Sequence, residues 1–255
     1  MTGIQKKHRV IAVVPAAGLG KRFGKDANKP FQTVCGKPLL AWSLSQLEQV
    51  SDIVEIIPVL KADDMVRGQN LFSEYGFSKI KKIVPGGKER QESVYNGLRI
   101  IDDRNCLVLI HDGVRPLAGK TLIENTIQEL QSEFTPSESE DEKWSRVIDG
   151  VIPGVPLKDT VKEAYNGIVK KTYKRESLWA VQTPQVFHHA ALLKAYEKAL
   201  DEGYFATDDA ALVERYGGRV RVIMGSYRNI KITTPEDLEI AEFLLGKNQA
   251  DKICG

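Results

Sequence analysis

Apolar residues along the chain fall into short continuous runs and into segments with helical spacing. Val10–Val14 is an unbroken, mostly β-branched run, which is typical of a strand buried on both faces. Ile53–Leu60, Ile80–Val84 and Cys106–Ile110 predict three more strands. Helical spacing follows Pro38 and recurs twice more, with apolar residues at Leu40, Leu44 and Leu47, at Val94, Leu98 and Ile101, and at Ile123, Ile127 and Leu130. This alternation predicts an α/β fold with a mostly parallel sheet covered on both faces.

Two segments in the second half of the chain interrupt this alternation. Phe134–Lys143 is rich in Ser, Glu and Asp and predicts a flexible acidic loop over residues 134–146. Val161–Thr172 contains Asn166-Gly167 between β-prone flanks, a strong indication of a two-residue hairpin turn. Both flanks mix polar and apolar residues, so we expect the hairpin to project as an arm. Because an isolated hairpin is marginal in water, we expect it to pack on another surface, such as a second subunit.

The remaining elements complete one predicted domain. Helices are expected at Leu192–Leu200 and from Asp208, and strands at Val220–Met224 and Asn229–Ile232. Thr234–Asp237 begins a last helix, because it offers an N-cap, a proline at the first helical position and early acids. The expected organisation is a single domain over 8–247, with the arm at about 157–176 and disordered tails at 1–7 and 248–255.

Composition narrows the functional class. The 255 residues include 36 Lys+Arg and 34 Asp+Glu, a net charge of +2, which disfavours a dedicated nucleic-acid partner. Cys35, Cys106 and Cys254 are too few and too scattered for a disulfide framework or a zinc-ligand pair, which favours the reducing cytoplasm. No apolar stretch reaches the ~18 residues of a membrane span, so no membrane association is expected. The basic N-terminus before Val10–Gly20 loosely imitates a secretory signal, which stays an alternative to the first strand.

The loop after the first strand is rich in glycine and in cations. In parallel sheets, ligands bind outside the carboxyl ends of the strands, so the loops after Val14, Val84 and Ile110 form one candidate site. Arg22 stands where a Walker A loop needs Ser or Thr, and Phe23 stands where a dinucleotide-binding loop needs Gly or Ala. The five cations and one acid between residues 20 and 37 indicate either a nucleoside triphosphate cradle or a solvated basic loop.

The other two loops also allow two interpretations each. Asp112, directly after a strand, is placed either to hold Mg²⁺ against substrate phosphates or to cap its loop, with His111 packed beneath it. Pro85–Ser93 is either a loop that presents its backbone and Ser93 to a base or a simple junction between strand and helix. By itself, Thr207-Asp208-Asp209 predicts only a helix start.

A wider resemblance covers about residues 10–243. The sequence resembles the 2-C-methyl-D-erythritol 4-phosphate cytidylyltransferase family in the ordered segments PAAGLGKRFG, NKPFQTVCGKPLL, GGKERQESV, HDGVRP, VPLKDTVK, RESLWAVQTPQVF, TDDA and NIKITTPEDLEIAEF. The resemblance implies a three-layer Rossmann-like nucleotidyltransferase domain with a mixed, mostly parallel sheet, and a homodimer formed through a protruding β-arm. It also implies transfer of CMP from CTP to the sugar-alcohol phosphate with release of pyrophosphate, with Mg²⁺ as cofactor, in the non-mevalonate pathway of isoprenoid precursors.

The same resemblance implies roles for individual residues. The implied catalytic cations are Arg22, Lys29 and Lys231, and Asp112 is the implied metal ligand. The implied nucleotide-binding residues are Ala16, Ala17, Gly18, Gly20, Gly86, Gly87, Ser93 and Asp112. The implied residues for the sugar-alcohol phosphate are Arg115, Thr160, Arg175, Thr183 and Thr207, with Thr160 and Arg175 acting on substrate bound in the partner subunit.

The sequence departs from the family pattern at two places. Lys88 stands where the family commonly has Asp, which puts that contact with the base in question. The segment Asn28-Lys29-Pro30 replaces the usual Pro-Lys-Gln, although counting back from Gly36 keeps Lys29 in register.

Two rival functions follow from the same motifs. A ribitol 5-phosphate cytidylyltransferase would share the glycine-rich loop, HDxxRP and TPQ, but the VPLKDT and RESLW segments disfavour it. A catalytically silent nucleotide-binding protein is disfavoured because Arg22, Lys29, Asp112 and Lys231 are all present.

Overall fold

The computed structural model describes residues 8–18, 28–132 and 148–253, with side chains described as far as 247. Within these ranges the chain forms twelve strands and seven helices. The strands are β1 (Val10–Pro15), β2 (Thr33–Val34), β3 (Lys37–Pro38), β4 (Ile53–Leu60), β5 (Val84–Pro85), β6 (Leu107–Ile110), β7 (Gly150–Pro156), β8 (Lys162–Tyr165), β9 (Ile168–Thr172), β10 (Trp179–Val181), β11 (Gln185–His188) and β12 (Val220–Met224). The helices are α1 (Leu39–Glu48), α2 (Met65–Glu74), α3 (Arg90–Leu98), α4 (Lys120–Gln131), α5 (His189–Asp201), α6 (Asp209–Arg215) and α7 (Pro235–Ile253).

The central sheet is mixed and mostly parallel, as predicted. Strands β6, β1, β4 and β5 lie side by side and run in the same direction. Strand β11 is antiparallel to both β6 and β7, while β12 runs parallel to β7. The carboxyl ends of β1, β5 and β6 therefore meet at one edge of the sheet, where their loops emerge.

Helices cover both faces of this sheet. In β1, Val10, Ala12 and Val14 pack into one core cluster with residues of α1, α2 and α4. The alternating residues Ile11 and Val13 pack into a second cluster with residues of α3, α5 and α6. Because successive side chains of a strand point to opposite faces, β1 is buried on both sides, and the three-layer prediction is confirmed.

A third core cluster forms where α7 packs beside the short β2–β3 hairpin. Its buried members include Val34 in the hairpin and Leu245 in α7. Cys35 and Gly36 make the turn with φ of 47° and 74°, and Trp42 Nε1 donates a hydrogen bond to the carbonyl of Val34 at 2.9 Å. Helix α7 continues to Ile253, beyond the expected domain boundary at residue 247.

The predicted hairpin of the arm is confirmed. Strands β8 and β9 pair with each other in a separate two-stranded sheet, and every residue of both is exposed. Asn166 and Gly167 adopt φ of 48° and 78°, the left-handed pair that a tight hairpin turn requires.

Two predicted strands are wrong. Most of Ile80–Val84 is irregular: Ile80 makes an isolated bridge to Ile56, and only Val84 joins the edge strand β5. Residues 229–232 are irregular: the backbone N–H of Asn229 donates to the carbonyl of Ser226 and closes a turn at 227–228, and that of Ile232 donates to the carbonyl of Val114. These bonds leave no continuous ladder for a strand to join.

Several expectations lie outside the described residues. They include the acidic loop at 134–146 and the part of the first glycine-rich loop that carries Gly20 and Arg22. Among the helices that are described, none is long and apolar enough to cross a membrane.

Candidate active site

The three loops singled out from the sequence line one cavity of about 370 Å³. It lies at the carboxyl ends of β1, β5 and β6, as predicted. Among the described lining residues, four are cations and two are acids: Lys29, Lys88, Arg90 and Lys231, with Glu89 and Asp112. Ala16, Ala17, Gly18, Gly87 and Ser93 also line it. The cavity therefore combines a basic wall with closely approaching backbone, a combination suited to a phosphorylated ligand.

The two glycine-rich loops touch at Gly86. A Cβ added to Gly86 would lie 2.3 Å from Cβ of Ala17, so no larger residue fits without movement of a loop. The Ser93 hydroxyl accepts a hydrogen bond from the N–H of Gly87 and donates one to the carbonyl of Glu89, both at 3.1 Å. In this structure Ser93 therefore fixes the conformation of its own loop, and the contact with a base expected of Ser93 stays a prediction.

A capping box begins α3 beside the cavity. The Glu89 side chain accepts from the backbone of Glu92, and Glu92 Oε2 accepts from the N–H groups of Lys88 and Glu89 at 2.6 and 3.3 Å. These bonds satisfy backbone donors that the helix itself cannot pair. The loop conformation from Gly87 to Arg90 is therefore fixed from within.

Asp112 is a buried carboxylate held by three cations. Lys231 Nζ lies 2.8 Å from its Oδ2, Arg90 Nε 3.3 Å from its Oδ1, and Arg115 Nε 3.5 Å from its Oδ2. Burial alone would raise the pKa of Asp112, but these three cations lower it far below the ordinary range for Asp. Asp112 is therefore ionised throughout the physiological pH range.

A buried histidine supports Asp112 from behind. The His111 ring is fully buried, with Nε2 3.3 Å from the carbonyl of Arg115 and Nδ1 3.1 Å from the Thr183 hydroxyl. The hydroxyl also accepts from the backbone N–H of Asp112 at 3.1 Å. These partners assign the proton to Nε2, and burial lowers the pKa of His111 to about 4. His111 is thus neutral, and it has the packing role that the sequence suggested.

Arg115 and Thr183 surround Asp112 below the cavity. Arg115 donates at 2.8 Å to the carbonyl of Asn229, whose own side-chain nitrogen donates at 2.9 Å to the carbonyl of Thr183. All three residues are buried. The substrate contacts expected of Arg115 and Thr183 stay predictions, since their polar groups here bind the protein. Asn229, which the sequence pattern indicated only as the start of a strand, thus anchors the irregular segment that carries Lys231.

A second ion pair extends the site to α6. Arg90 grips the fully buried Asp209 through two nitrogens, at 3.0 and 2.7 Å, and Tyr196 donates its hydroxyl proton to the same carboxylate. Burial lowers the pKa of Arg90, but Asp209 and Asp112 raise it well above its ordinary value. Sequence analysis missed this cluster. One indication was available: Arg90 is the first residue of a helix, where a cation is unfavourable unless paired.

Lys29 reaches the cavity from a short 3₁₀ turn, Lys29–Phe31. Pro30 and Phe31 are buried, and the guanidinium of Arg67 stacks 4.4 Å above the Phe31 ring. These contacts anchor the turn, and Lys29 at its start lines the cavity, as its register in the sequence predicted.

The predicted arm residues lie elsewhere. Thr160 and Arg175 line a second cavity of about 250 Å³, and Arg175 donates at 2.6 Å to the carbonyl of Lys158. Thr207 is exposed and directly precedes Asp208, whose carboxylate caps α6 by accepting from the N–H of Ala211 at 3.0 Å. Within one chain these residues are separate from the cavity that contains Asp112.

Comparison with known proteins identifies the family. The family model described as 2-C-methyl-D-erythritol 4-phosphate cytidylyltransferase matches residues 10–247. The chain belongs to this family. A curated relative of that name from Geotalea uraniireducens is 45% identical over 242 residues, covering 93% of this chain and 97% of the relative. One from Clostridioides difficile is 40% identical, covering 94% and 95%.

Solved structures agree with the fold. A 4-diphosphocytidyl-2C-methyl-D-erythritol synthase from Anaerococcus prevotii superposes with a TM-score of 0.79 at 32% identity, covering 96% of this chain and all of that one. The Thermus thermophilus member of the family gives 0.71 at 27% identity, covering 91% and 97%. The protein is thus a nucleotidyltransferase with a Rossmann-like domain.

Proposed function

We propose that this protein transfers CMP from CTP to 2-C-methyl-D-erythritol 4-phosphate, giving 4-diphosphocytidyl-2-C-methyl-D-erythritol and pyrophosphate. One observation carries the proposal: two closely packed glycine-rich loops and a cation cluster around Asp112 share one cavity. The curated relatives bear the name of this activity. The product is a precursor in the non-mevalonate route to isoprenoids.

The two loops would hold the nucleotide. Small residues at 16–18 and at Gly87 line the cavity beside Ser93 and would leave room for the base and ribose of CTP. Gly86 packs the two loops together. From the sequence, Gly20 is a further candidate for binding the nucleotide. Lys29 and Lys231, which line the cavity, would contact the triphosphate.

The reaction needs positioning and charge stabilisation rather than a base. The attacking atom is a phosphate oxygen of the sugar-alcohol substrate and is already anionic, so no proton has to be removed from it. Two polyanions must meet while charge grows on the α-phosphate and on the departing pyrophosphate. Arg22 and Lys29 would stabilise the transition state and the leaving group, and Lys231 the α-phosphate.

A divalent cation fits the residues present. Asp112 is ionised, lines the cavity and lies two residues after the end of β6, and Mg²⁺ favours one or two carboxylates combined with phosphate oxygens. Mg²⁺, when bound, would supply positive charge that neutralises the phosphates. Asp112 would hold it, and Arg90, Arg115 and Lys231 keep that carboxylate charged.

The arm would complete the site of a second subunit in a homodimer. Thr160, Tyr173 and Arg175 line a small cavity at the arm, where Lys174 adds a second cation. Apolar side chains on the arm are unusually exposed, including Ile168 at 73% and Tyr165 at 65%, which suits a surface covered by a partner. The phosphate of the acceptor would bind Arg175 of the partner subunit.

Pyrophosphate release tests the reaction. With CTP and Mg²⁺, we expect release with 2-C-methyl-D-erythritol 4-phosphate and little with ribitol 5-phosphate. Release with ribitol 5-phosphate alone would favour the rival transferase, and release with neither would contradict a cytidylyltransferase function.

Mixing two impaired variants tests the shared site, with the sugar-alcohol phosphate held well below its KM. Lys29→Ala and Arg175→Ala damage different halves of each proposed composite site. In a randomly reassorted mixture, about half of the dimers are mixed and carry one intact site, so activity should recover to about a quarter of wild type. Absence of recovery, with subunit exchange shown by mass spectrometry of differently tagged chains, would contradict an arm that acts across subunits.

A further inference from the structure

We propose that Arg90 is a positioning residue for the transfer: anchored on the buried Asp209, its guanidinium sets the orientation of the Asp112 carboxylate. This inference rests on the proposed function. It gives a functional role to the ion cluster of Arg90, Asp209 and Asp112, for which the proposed binding of nucleotide and acceptor does not account.

The geometry makes Arg90 a bridge between three parts of the chain. Its backbone begins α3 and ends the loop from Gly86. Two of its nitrogens bind Asp209 at the start of α6, at 3.0 and 2.7 Å, and the third lies 3.3 Å from Asp112 Oδ1. All three guanidinium nitrogens therefore face carboxylate oxygens, and the side chain has one rigid setting.

The anchor is stronger than the contact that it serves. Asp209 is fully buried, so its charge has to be paired, and Tyr196 supplies a further hydrogen bond. The Asp112 contact is longer and lies at the cavity wall, where the Arg90 side chain is 31% exposed. Because Asp209 fixes the guanidinium of Arg90, that guanidinium can hold the Asp112 carboxylate in place without shifting towards it.

The other partners of Asp112 do not replace this contact. Lys231 and Arg115 both contact Oδ2, whereas Arg90 contacts the other oxygen, Oδ1. If Arg90 no longer contacts Oδ1, the carboxylate of Asp112 can rotate while Oδ2 keeps its contacts with Lys231 and Arg115. A misplaced charge of this kind lowers the rate of chemistry more than it weakens nucleotide binding.

Arg90→Lys tests the bridge, because a lysine keeps the charge but cannot span both carboxylates. We expect kcat to fall roughly 10- to 100-fold and the KM for CTP to change less than about threefold. Arg215→Lys is the matched control: it makes the same exchange in α6, at an ion pair in which Arg215 Nη2 lies 3.1 Å from Glu202 Oε2 and which does not line the cavity. It should leave kcat within about twofold.

A double-mutant cycle shows whether Arg90 acts through Asp112. In an Asp112→Asn background, Arg90→Lys should cost less than about a further threefold in kcat. Losses that multiply would overturn the proposal and indicate direct contact of Arg90 with substrate. A folded Arg90→Lys enzyme with kcat within about twofold of wild type would also overturn it.

A second variant covers the case in which Arg90→Lys does not fold. Asp209→Asn removes the anchoring charge without touching the cavity, and should lower kcat several-fold with little change in the KM for CTP. Unchanged kcat in that variant would overturn the proposal. A wild-type protein that releases no pyrophosphate would overturn the proposed function as well, whereas an active wild type with unaffected variants overturns the role of Arg90 alone.

Discussion

Replacing Gly86 by alanine tests how closely the two glycine-rich loops are packed. The added Cβ would lie 2.3 Å from Cβ of Ala17 and 3.0 Å from Oγ of Ser93. The Cβ of Ala17 is bonded directly to the main chain, so the crowding can be relieved only if a loop moves. Overpacking of this kind costs about 1–3 kcal/mol. The φ of Gly86 lies outside the left-handed region, so crowding alone decides the effect.

Thermal unfolding and CTP titration measure the result. In a protein of this size about 1 kcal/mol shifts the melting temperature by roughly 2–4 °C, so the expected decrease is roughly 2–12 °C. Because the loops would separate at the proposed nucleotide site, CTP should also bind more weakly. Gly246→Ala is the matched control: it lies in α7, an added Cβ meets nothing within 4 Å, and it should stabilise by about 0.5–1 kcal/mol. A Gly86→Ala protein with wild-type melting temperature and CTP affinity would refute the packing argument.

Three further predictions concern single side chains. Lys29→Ala should lower kcat about 100-fold or more with an unchanged melting temperature, and near-normal turnover would contradict its assignment. Arg175→Ala should raise the KM for the sugar-alcohol phosphate about tenfold or more while the KM for CTP is unchanged, as steady-state kinetics would show. Burial lowers the pKa of His111 from 6.5 to about 4, so the unfolded chain binds more protons between these values and stability falls as the pH drops from 6.5 to 4. Denaturant unfolding without divalent cations should show wild type losing about 3 kcal/mol more than His111→Gln in this window, and parallel curves would contradict a neutral buried His111.

The continuous apolar runs were predictable because burial on both faces leaves an unambiguous pattern. The prediction for β4 matches the observed strand, and the hairpin turn at Asn166-Gly167 follows from local backbone chemistry. By contrast, Ile80–Val84 is apolar enough for a strand, but it lies at the sheet edge, where Ile80 makes a single bridge and continuous pairing begins at Val84. The composition of a short segment does not show whether a neighbouring strand will pair with it.

The cluster at Arg90 shows why the site was only partly predictable. Its partner Asp209 lies 119 residues away in sequence, and each residue also fits an ordinary helix start. Only the packing of α3, α5 and α6 on one face of the sheet brings Arg90, Asp209 and Tyr196 together. The position of Asp112 at a strand end was predictable, but its dependence on Arg90 was not.

The near-neutral charge of the whole chain hides an arrangement that suits its chemistry. Cations that lie close together repel each other before an anionic substrate arrives, and Asp112 offsets that repulsion by pairing with Arg90, Arg115 and Lys231. Folding therefore sets the positions of these cations before the substrate binds. Such preorganisation is where electrostatic catalysis gains most, because the site does not have to reorganise as charge develops. The buried carboxylate of Asp112 thus fixes the positions of the surrounding cations, and Arg90 fixes the orientation of that carboxylate.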